Sequence, residues 1–416
     1  MYLVHEQPLN ALKQPEEHPN YRIDAQLPDD ARFETRAIRT QTPRARREHS
    51  TPLYMTSSFV FGDAEQARAL FAEEEQGEIY SRFVNPSVAE FEAKIAALEG
   101  TEAAYATATG MAANFATFAS FLQQGDHMVA SRAVFGSTFN LLTKFLPKWG
   151  IEVSLVDLDA NDQWAAAIRP ETKMLFVETP SNPSLRLADL TFLGELAREH
   201  GLLYAVDNCF ATPYLQQPAK FGANLIIHSA TKFIDGQGRT LGGAIAGPAE
   251  LIDPVYRFCR NTGPSLSPFN AWVLSKSLET LHVRMEAHCR NAEHIARTLE
   301  EHPALHNLRY PFLESHPQVA LARQQMKHGG GILTFEVRGG YEKGKAFLEG
   351  LKMLSHTANL GDTRTICTHP ASTTHSKLSP EEQQAVGIQP GLIRLSVGLE
   401  HPEDVLNDIR QSLERV

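Results

Sequence analysis

Between residues 127 and 246 the chain repeats one pattern, an apolar run of strand length followed by a stretch with helical spacing. The runs are His127–Ala130, Ile151–Val156, Met174–Val177, Leu202–Val206, Leu225–Ile227 and Gly243–Ala246. Runs that are apolar throughout, rather than alternating, suit strands covered on both faces. Helices between them supply crossover connections, which predicts an α/β fold with a mostly parallel sheet flanked by helices. The helices carry their own punctuation. Asn85-Pro86 is an N-cap with proline at the first helical position, Val88, Phe91, Ile95 and Leu98 follow at helical spacing, and Gly100 is the stop. Asp189 opens another helix, with Leu190, Leu193 and Leu196 inward and Gly201 at its end.

Other rhythms flank this region and predict three parts. Residues 1–62 hold Pro8, Pro15, Pro19, Pro28, Pro43 and Pro52 and a charge-rich stretch from Arg32 to Glu48. They predict an extended arm with a short helix near Asp29–Arg39. The run Arg44-Ala45-Arg46-Arg47 reads as a solvated or interface strip. Residues 63–256 form the large α/β domain. Residues 257–416 predict a smaller α+β domain. It has one long helix from Pro268 to about Glu301, strands Ile332–Val337 and Leu392–Val397, and helices around Lys343–Leu351 and Glu403–Leu413. A cleft between two such domains is a common ligand site.

Composition narrows the function. Hydrophobic residues are 42% and charged residues 21% of 416, which suits a folded chain. The net charge of −10 argues against general affinity for nucleic acid or an anionic membrane. Cys209, Cys259, Cys289 and Cys367 form no C-x-x-C pair, which predicts free buried thiols in a reducing cytoplasm. No apolar stretch follows a basic start, so a secretory leader is not expected. Ala103–Gly125 is uncharged and long enough to span a bilayer, but its Thr, Asn and Gln side chains are costly in lipid. A buried strand followed by a buried helix is expected there instead.

Four features carry chemistry. In Thr107-Ala108-Thr109-Gly110-Met111 a glycine stands where a helix begins, a place where free N–H groups bind anions. Asp207 follows an apolar strand, at the edge where α/β proteins place functional groups, and suits a cationic ring nitrogen. In His228-Ser229-Ala230-Thr231-Lys232 a lysine that can form a Schiff base follows two hydroxyls that can hold a phosphate. In Leu392-Ile393-Arg394-Leu395-Ser396-Val397 an arginine interrupts an apolar strand, which suits bidentate carboxylate recognition. Each alone has a plainer reading: a turn glycine, a cap or metal ligand, a solvated loop lysine. Together they describe pyridoxal 5′-phosphate acting on an amino acid. Gly236-Gln237-Gly238-Arg239 lacks the dinucleotide spacing, no G-x-S-x-G or H-E-x-x-H occurs, and His369 and His375 lack the spacing of metal ligands.

The runs Tyr80-Ser81-Arg82-Phe83-Val84-Asn85-Pro86, Glu178-Thr179-Pro180-Ser181-Asn182-Pro183, Asp207-Asn208, Ser229-Ala230-Thr231-Lys232 and Arg394-Leu395-Ser396-Val397-Gly398-Leu399-Glu400 resemble the Cys/Met-metabolism family of fold-type I pyridoxal-phosphate enzymes. The resemblance covers about residues 32 to 415. It implies a seven-stranded-type sheet and a smaller C-terminal domain. Lys232 would hold the cofactor, Asp207 its ring nitrogen, and the Gly110 and Met111 N–H groups with Ser229 and Thr231 its phosphate. Tyr80 and Arg82 would reach the phosphate of a neighbouring subunit, which makes the active unit a dimer, usually doubled to a tetramer. Arg394, helped by Asn182 and Asn359, would bind the substrate carboxylate.

Departures from the family narrow the reaction. Phe135 replaces the tyrosine that covers the ring, Ser137 the cysteine of methionine γ-lyases, and Ala358 the glutamate of cystathionine-handling members. The resemblance then implies γ-replacement of O-succinylhomoserine or O-acetylhomoserine with sulfide. The alternatives are methionine γ-lyase, cystathionine γ-synthase and cystathionine γ-lyase chemistry.

Overall fold

Apolar runs without polar alternation need cover on both faces, and this chain supplies it. The computed structural model describes residues 27, 28, 30–44, 48–374, 376, 379, 383 and 387–416. Its main sheet has seven strands: β1 Ala103–Thr107, β2 His127–Ser131, β3 Glu152–Val156, β4 Thr172–Glu178, β5 Leu203–Asp207, β6 Leu225–Ser229 and β7 Gly243–Gly247. β2 to β7 are the expected runs with ends shifted by one or two residues. β1 and the helix Gly110–Phe121 divide the uncharged window between them. The order is β1-β7-β6-β5-β4-β2-β3. β2 to β6 are mutually parallel, and β7 alone runs antiparallel to its neighbours. The carboxyl ends of β4, β5 and β6 therefore share one edge.

The period-2 alternation of strands sorts their side chains into two layers. Val129, Leu175, Val177, Val206 and Ile226 pack with Phe91, Ile95 and Leu98 on one face. Met128, Ala130, Met174, Phe176, Ala205 and Ile227 pack with Ala113, Ala116 and Phe118 on the other. The helices start and stop where their caps dictate. Asn85 accepts from the Ser87 N–H at 2.9 Å, and Gly100 closes Pro86–Glu99 at φ +74°. Asp189 accepts from the Phe192 N–H at 3.0 Å, and Gly201 closes Leu190–His200 at φ +63°.

A second, five-stranded sheet is formed by β8 Leu305–Arg309, β9 Ile332–Val337, β10 Ser355–His356, β11 Ile366–Thr368 and β12 Leu392–Ser396, in the order β10-β11-β12-β9-β8. Its own core joins Leu333, Phe335, Ile393 and Leu395 to Phe347, Leu406 and Ile409. Arg394 alternates with Ile393 and Leu395, so it lies on the face turned away from that core. Its register partners are Thr368 on β11 and Thr334 on β9.

Three expectations need correction. The arm helix is Phe33–Arg39, because the chain first turns with Ala31 N–H on Pro28 O at 2.9 Å and Arg32 extended; Asp29 lies outside the described residues. Arg44 is not solvated: its guanidinium is buried in a fork on Glu90, with one arm at 3.1 Å, and so ties the arm to the helix Pro86–Glu99. Residues 45–47 lie outside the description. The long helix is two, Pro268–Leu278 and Leu281–Leu299. The Ser277 carbonyl, which a continuous helix would give to the Leu281 N–H, accepts instead from the Thr280 N–H and hydroxyl at 3.2 and 3.3 Å and from Arg284 at 3.0 Å. Arg284 also donates to the Phe233 and Ile234 carbonyls at 2.6 and 3.0 Å.

Gly194 in the helix Leu190–His200 is where the outer layer is tightest: a Cβ there would stand 1.9 Å from the Phe221 carbonyl oxygen. Gly194→Ala is expected to lower stability by about 1–3 kcal/mol, read as a reduced midpoint in chemical unfolding. An unchanged midpoint would refute this close packing.

Candidate active site

Each strand end brings one kind of group to the shared edge. After β1 the chain turns at Thr109, whose side-chain oxygen accepts from Ala112 N–H at 3.0 Å and whose carbonyl accepts from Ala113 N–H at 3.1 Å. The Gly110 and Met111 N–H groups, which have no partner within the helix, start the helix beside the cleft. Gly110 is required here, because a Cβ would lie 2.6 Å from the Ser229 Cβ and 2.9 Å from its Oγ. Gly243 on β7 gives room from beneath, since a Cβ there would lie 2.2 Å from the Thr109 carbonyl oxygen. Thr231 is fixed through its hydroxyl to the backbone of Gly242, at 3.2 and 3.3 Å.

Asp207 ends β5, buried, with Oδ2 accepting from Asn114 Nδ2 at 3.3 Å and Oδ1 from the Cys209 N–H at 3.1 Å. Burial raises its pKa, and those two donors oppose the rise. Lys232 lies just past β6 with Nζ donating to Asn359 Oδ1 at 2.6 Å. Burial lowers its pKa, and the Arg394 charge adds to this. Arg394 donates to Asn182 Oδ1 at 3.0 Å and to the Asn359 carbonyl at 3.1 Å. Burial lowers its pKa to about 10, and among the described residues no carboxylate pairs with it. It is a buried cation awaiting an anion.

These groups line one cavity of about 400 Å³, with Phe135 at its rim, 45% exposed. That size suits a small ligand. The structure thus brings together Gly110, Met111, Phe135, Asn182, Asp207, Ser229, Thr231, Lys232 and Arg394, with Asn359 joined to the last two. Tyr80 and Arg82 do not line it. Tyr80 is 41% exposed, and Arg82 lies over the Tyr80 and Phe83 rings and donates to the Arg260 carbonyl. A succinyl tail would bring a second carboxylate, but Arg44 is held by Glu90, Arg132 by Asp157 and Arg239 by Asp235, and none of the three lines the cavity. His369 has both ring nitrogens engaged, with Ser372 Oγ and the Pro390 carbonyl, and His375 lies outside the described residues.

Two lining residues escaped the sequence reading. Asn114 is a polar side chain on the uncharged helix Gly110–Phe121, which otherwise holds only Thr117 and Ser120 as polar side chains. Glu178 is a buried acid at the end of an apolar strand, the same signal that marks Asp207. Among the described residues no helix is long and apolar enough to cross a membrane, and the four cysteines are free.

The donor set fits pyridoxal phosphate: N–H groups and hydroxyls on one side, an acid on another, an amine between, and no room for a side chain at Gly110. Gly110→Ala is expected to push Ser229 away and weaken retention of pyridoxal phosphate at least about tenfold, measured by equilibrium dialysis. Retention at the parent level would sink this assignment of the phosphate side.

Comparison with known proteins agrees with this geometry. The Cys/Met metabolism PLP-dependent enzyme family matches residues 34–414. An O-succinylhomoserine sulfhydrylase of Pseudomonas aeruginosa is 48% identical over 395 residues, covering 94% of this chain and 97% of the relative. An L-methionine gamma-lyase of Fusobacterium nucleatum subsp. polymorphum is 44% identical over 369 residues, covering 88% of this chain and 93% of the relative. A crystal structure from Campylobacter jejuni, provisionally named an O-acetylhomoserine (thiol)-lyase and carrying N′-pyridoxyl-lysine-5′-monophosphate, superposes with a TM-score of 0.88 at 34% identity, covering 92% of this chain and 99% of its own. Matched over nearly its whole length, the chain belongs to the Cys/Met metabolism family of pyridoxal-phosphate-dependent enzymes.

Proposed function

We propose that the protein is a γ-replacement enzyme that joins sulfide to an O-acylhomoserine, O-succinylhomoserine or O-acetylhomoserine, and releases homocysteine. The carrying observation is the make-up of the cavity lining. Among the described lining residues only Glu178 and Asp207 bear carboxyls, and both sit at strand ends. Much of the remaining lining is apolar: Phe135, Phe210, Leu241, Ala358 and Leu360. No acid is on hand there to hold the ammonium of cysteine or the second amino group of cystathionine. Hydrosulfide, a small anion, needs none. The sulfhydrylase relatives support the same reading.

Pyridoxal phosphate supplies a covalent hold on the amino group and a sink for electrons. The chain's own groups do the rest. Gly110, Met111, Ser229 and Thr231 bind phosphate, Asp207 holds the ring nitrogen cationic, and Phe135 covers the ring face. Arg394, with Asn182 and Asn359 behind it, turns the substrate by its carboxylate. Lys232 anchors the cofactor between turnovers. Its Nζ then takes the proton from the substrate Cα, and afterwards moves protons at Cβ so that the γ-acyloxy group leaves as a carboxylate and hydrosulfide enters at Cγ. Tyr80 and Arg82 serve the cleft of a neighbouring subunit, so the working unit is a dimer, doubled to a tetramer. The division into 1–62, 63–256 and 257–416 and a cytoplasmic location belong to the same reading; the free thiols support the latter.

Turnover of both esters with and without sulfide tests the proposal. Homocysteine should dominate when sulfide is present, and the rates from the two esters identify the acyl group. Release of 2-oxobutyrate and ammonia at a rate indifferent to sulfide would make the protein a γ-lyase. Lys232→Ala should lose about 10²–10⁴-fold in proton transfer, read as exchange of the substrate α-proton with solvent. The lowered proton affinity of Lys232 has a pH signature as well. Its neutral amine is the nucleophile, so covalent uptake of pyridoxal phosphate by the apoprotein should rise with pH through a midpoint below the 10.5 of an ordinary lysine. A midpoint at or above that value would contradict its burial.

A further inference from the structure

One buried acid in the cleft has no part in the roles assigned so far. Glu178 ends β4 opposite Asp207 in strand register and is 4% exposed. Its Oε2 accepts from the Phe135 N–H at 2.7 Å, and the chain runs on from Glu178 through Thr179, Pro180 and Ser181 to Asn182. That bond therefore joins two loops. One carries the aromatic ring at the cavity rim, and the other carries Asn182, whose side chain holds Arg394 at 3.0 Å. Among the described residues no cation pairs with Glu178. Burial without a counter-ion raises its pKa well above the usual range, and the neighbouring Asp207 adds to the rise. Two adjacent carboxyls in a dry pocket do not both ionise readily. Glu178 receives the Phe135 loop through its Oε2.

We propose that Glu178 is a positioning residue, whose carboxyl ties the Phe135 loop to the strand end beside Asp207, where the Asn182 loop begins, and so fixes the ring cover and the carboxylate clamp relative to each other. The Phe135 N–H would otherwise have to find water inside the cleft, and an unpaired buried amide is costly. The inference rests on the pyridoxal-phosphate reading of the site, not on which nucleophile enters.

Three variants of the holoenzyme test it, each checked for fold by far-ultraviolet circular dichroism. Glu178→Gln keeps a carbonyl acceptor, while Glu178→Ala and the similarly sized Glu178→Met remove it. The readouts are the induced dichroism of bound cofactor, the rate of cofactor loss on dialysis, and KM against kcat for the acyl-homoserine. The Gln variant should stay within about threefold of the parent in all of them. The Ala and Met variants should show weakened induced dichroism, about tenfold or more faster cofactor loss, and a KM raised by a similar factor with kcat changed less. Parent-like cofactor signals in Ala and Met, or a Gln variant as impaired as they are, would overturn the proposal. So would failure of either Gln or both acceptor-free variants to fold, which would make the carboxyl a stability element. Because the cofactor signals need no turnover, a wrong choice between sulfhydrylase and lyase would show in the parent enzyme's products and leave this comparison intact.

Discussion

Exclusion of water from the carboxyl edge of the main sheet governs every charge in the cleft. β4, β5 and β6 end side by side with Glu178, Asp207 and Ser229, and the segment after β6 carries Lys232. Away from water each ionisable group drifts toward its neutral form unless a neighbour holds its charge. Lys232 and Arg394 drift down, and Glu178 and Asp207 drift up. Asp207 has a donor at each oxygen, Asn114 and the Cys209 N–H, while Glu178 accepts from the Phe135 N–H. The same burial thus acts on two adjacent carboxyls with different donors.

The two sheets deliver complementary parts. The seven-stranded sheet presents Ser229, Thr231, Asp207 and Lys232, with Gly110 and Met111 at the helix after β1. The five-stranded sheet presents Arg394 on the face opposite its own core. Asn359 joins them, with its side chain on Lys232 and its carbonyl on Arg394. Arg284 adds a second brace, because it binds the carbonyls of Phe233 and Ile234 just after the lysine from the helix Leu281–Leu299. Gly236 allows that approach, since a Cβ there would fall 2.0 Å from the guanidinium.

What the sequence made legible was whatever depends on local pattern. The strands, the Asn85 and Asp189 caps and the glycine stops follow from period and turn chemistry, and all lie where that chemistry puts them. Asp207, Lys232 and Arg394 stood out because a polar residue interrupts or ends an apolar run. Three features were hidden because distant residues make them. Arg44 looked solvated, since its partner Glu90 comes 46 positions later. The break after Leu278 looked like continuous helix, since Arg284, braced on Phe233 and Ile234, helps take the Ser277 carbonyl. Glu178 carried the same mark as Asp207 but was absorbed into the motif that follows it. Tyr80 and Arg82 could be named from a motif, while nothing in a single chain's pattern brings them to its own cleft.

Outside the reaction, Arg394 makes the folded protein a sensor of small acids. A guanidinium held from water with only amide and hydroxyl partners is satisfied more fully once a carboxylate meets it. Any compact monocarboxylate that reaches the cleft, reactive or inert, then shifts the balance toward the native form in proportion to its occupancy. Storage buffers containing such anions would alter the melting temperature without touching the cofactor, and a thermal scan doubles as a screen for inhibitors that never turn over.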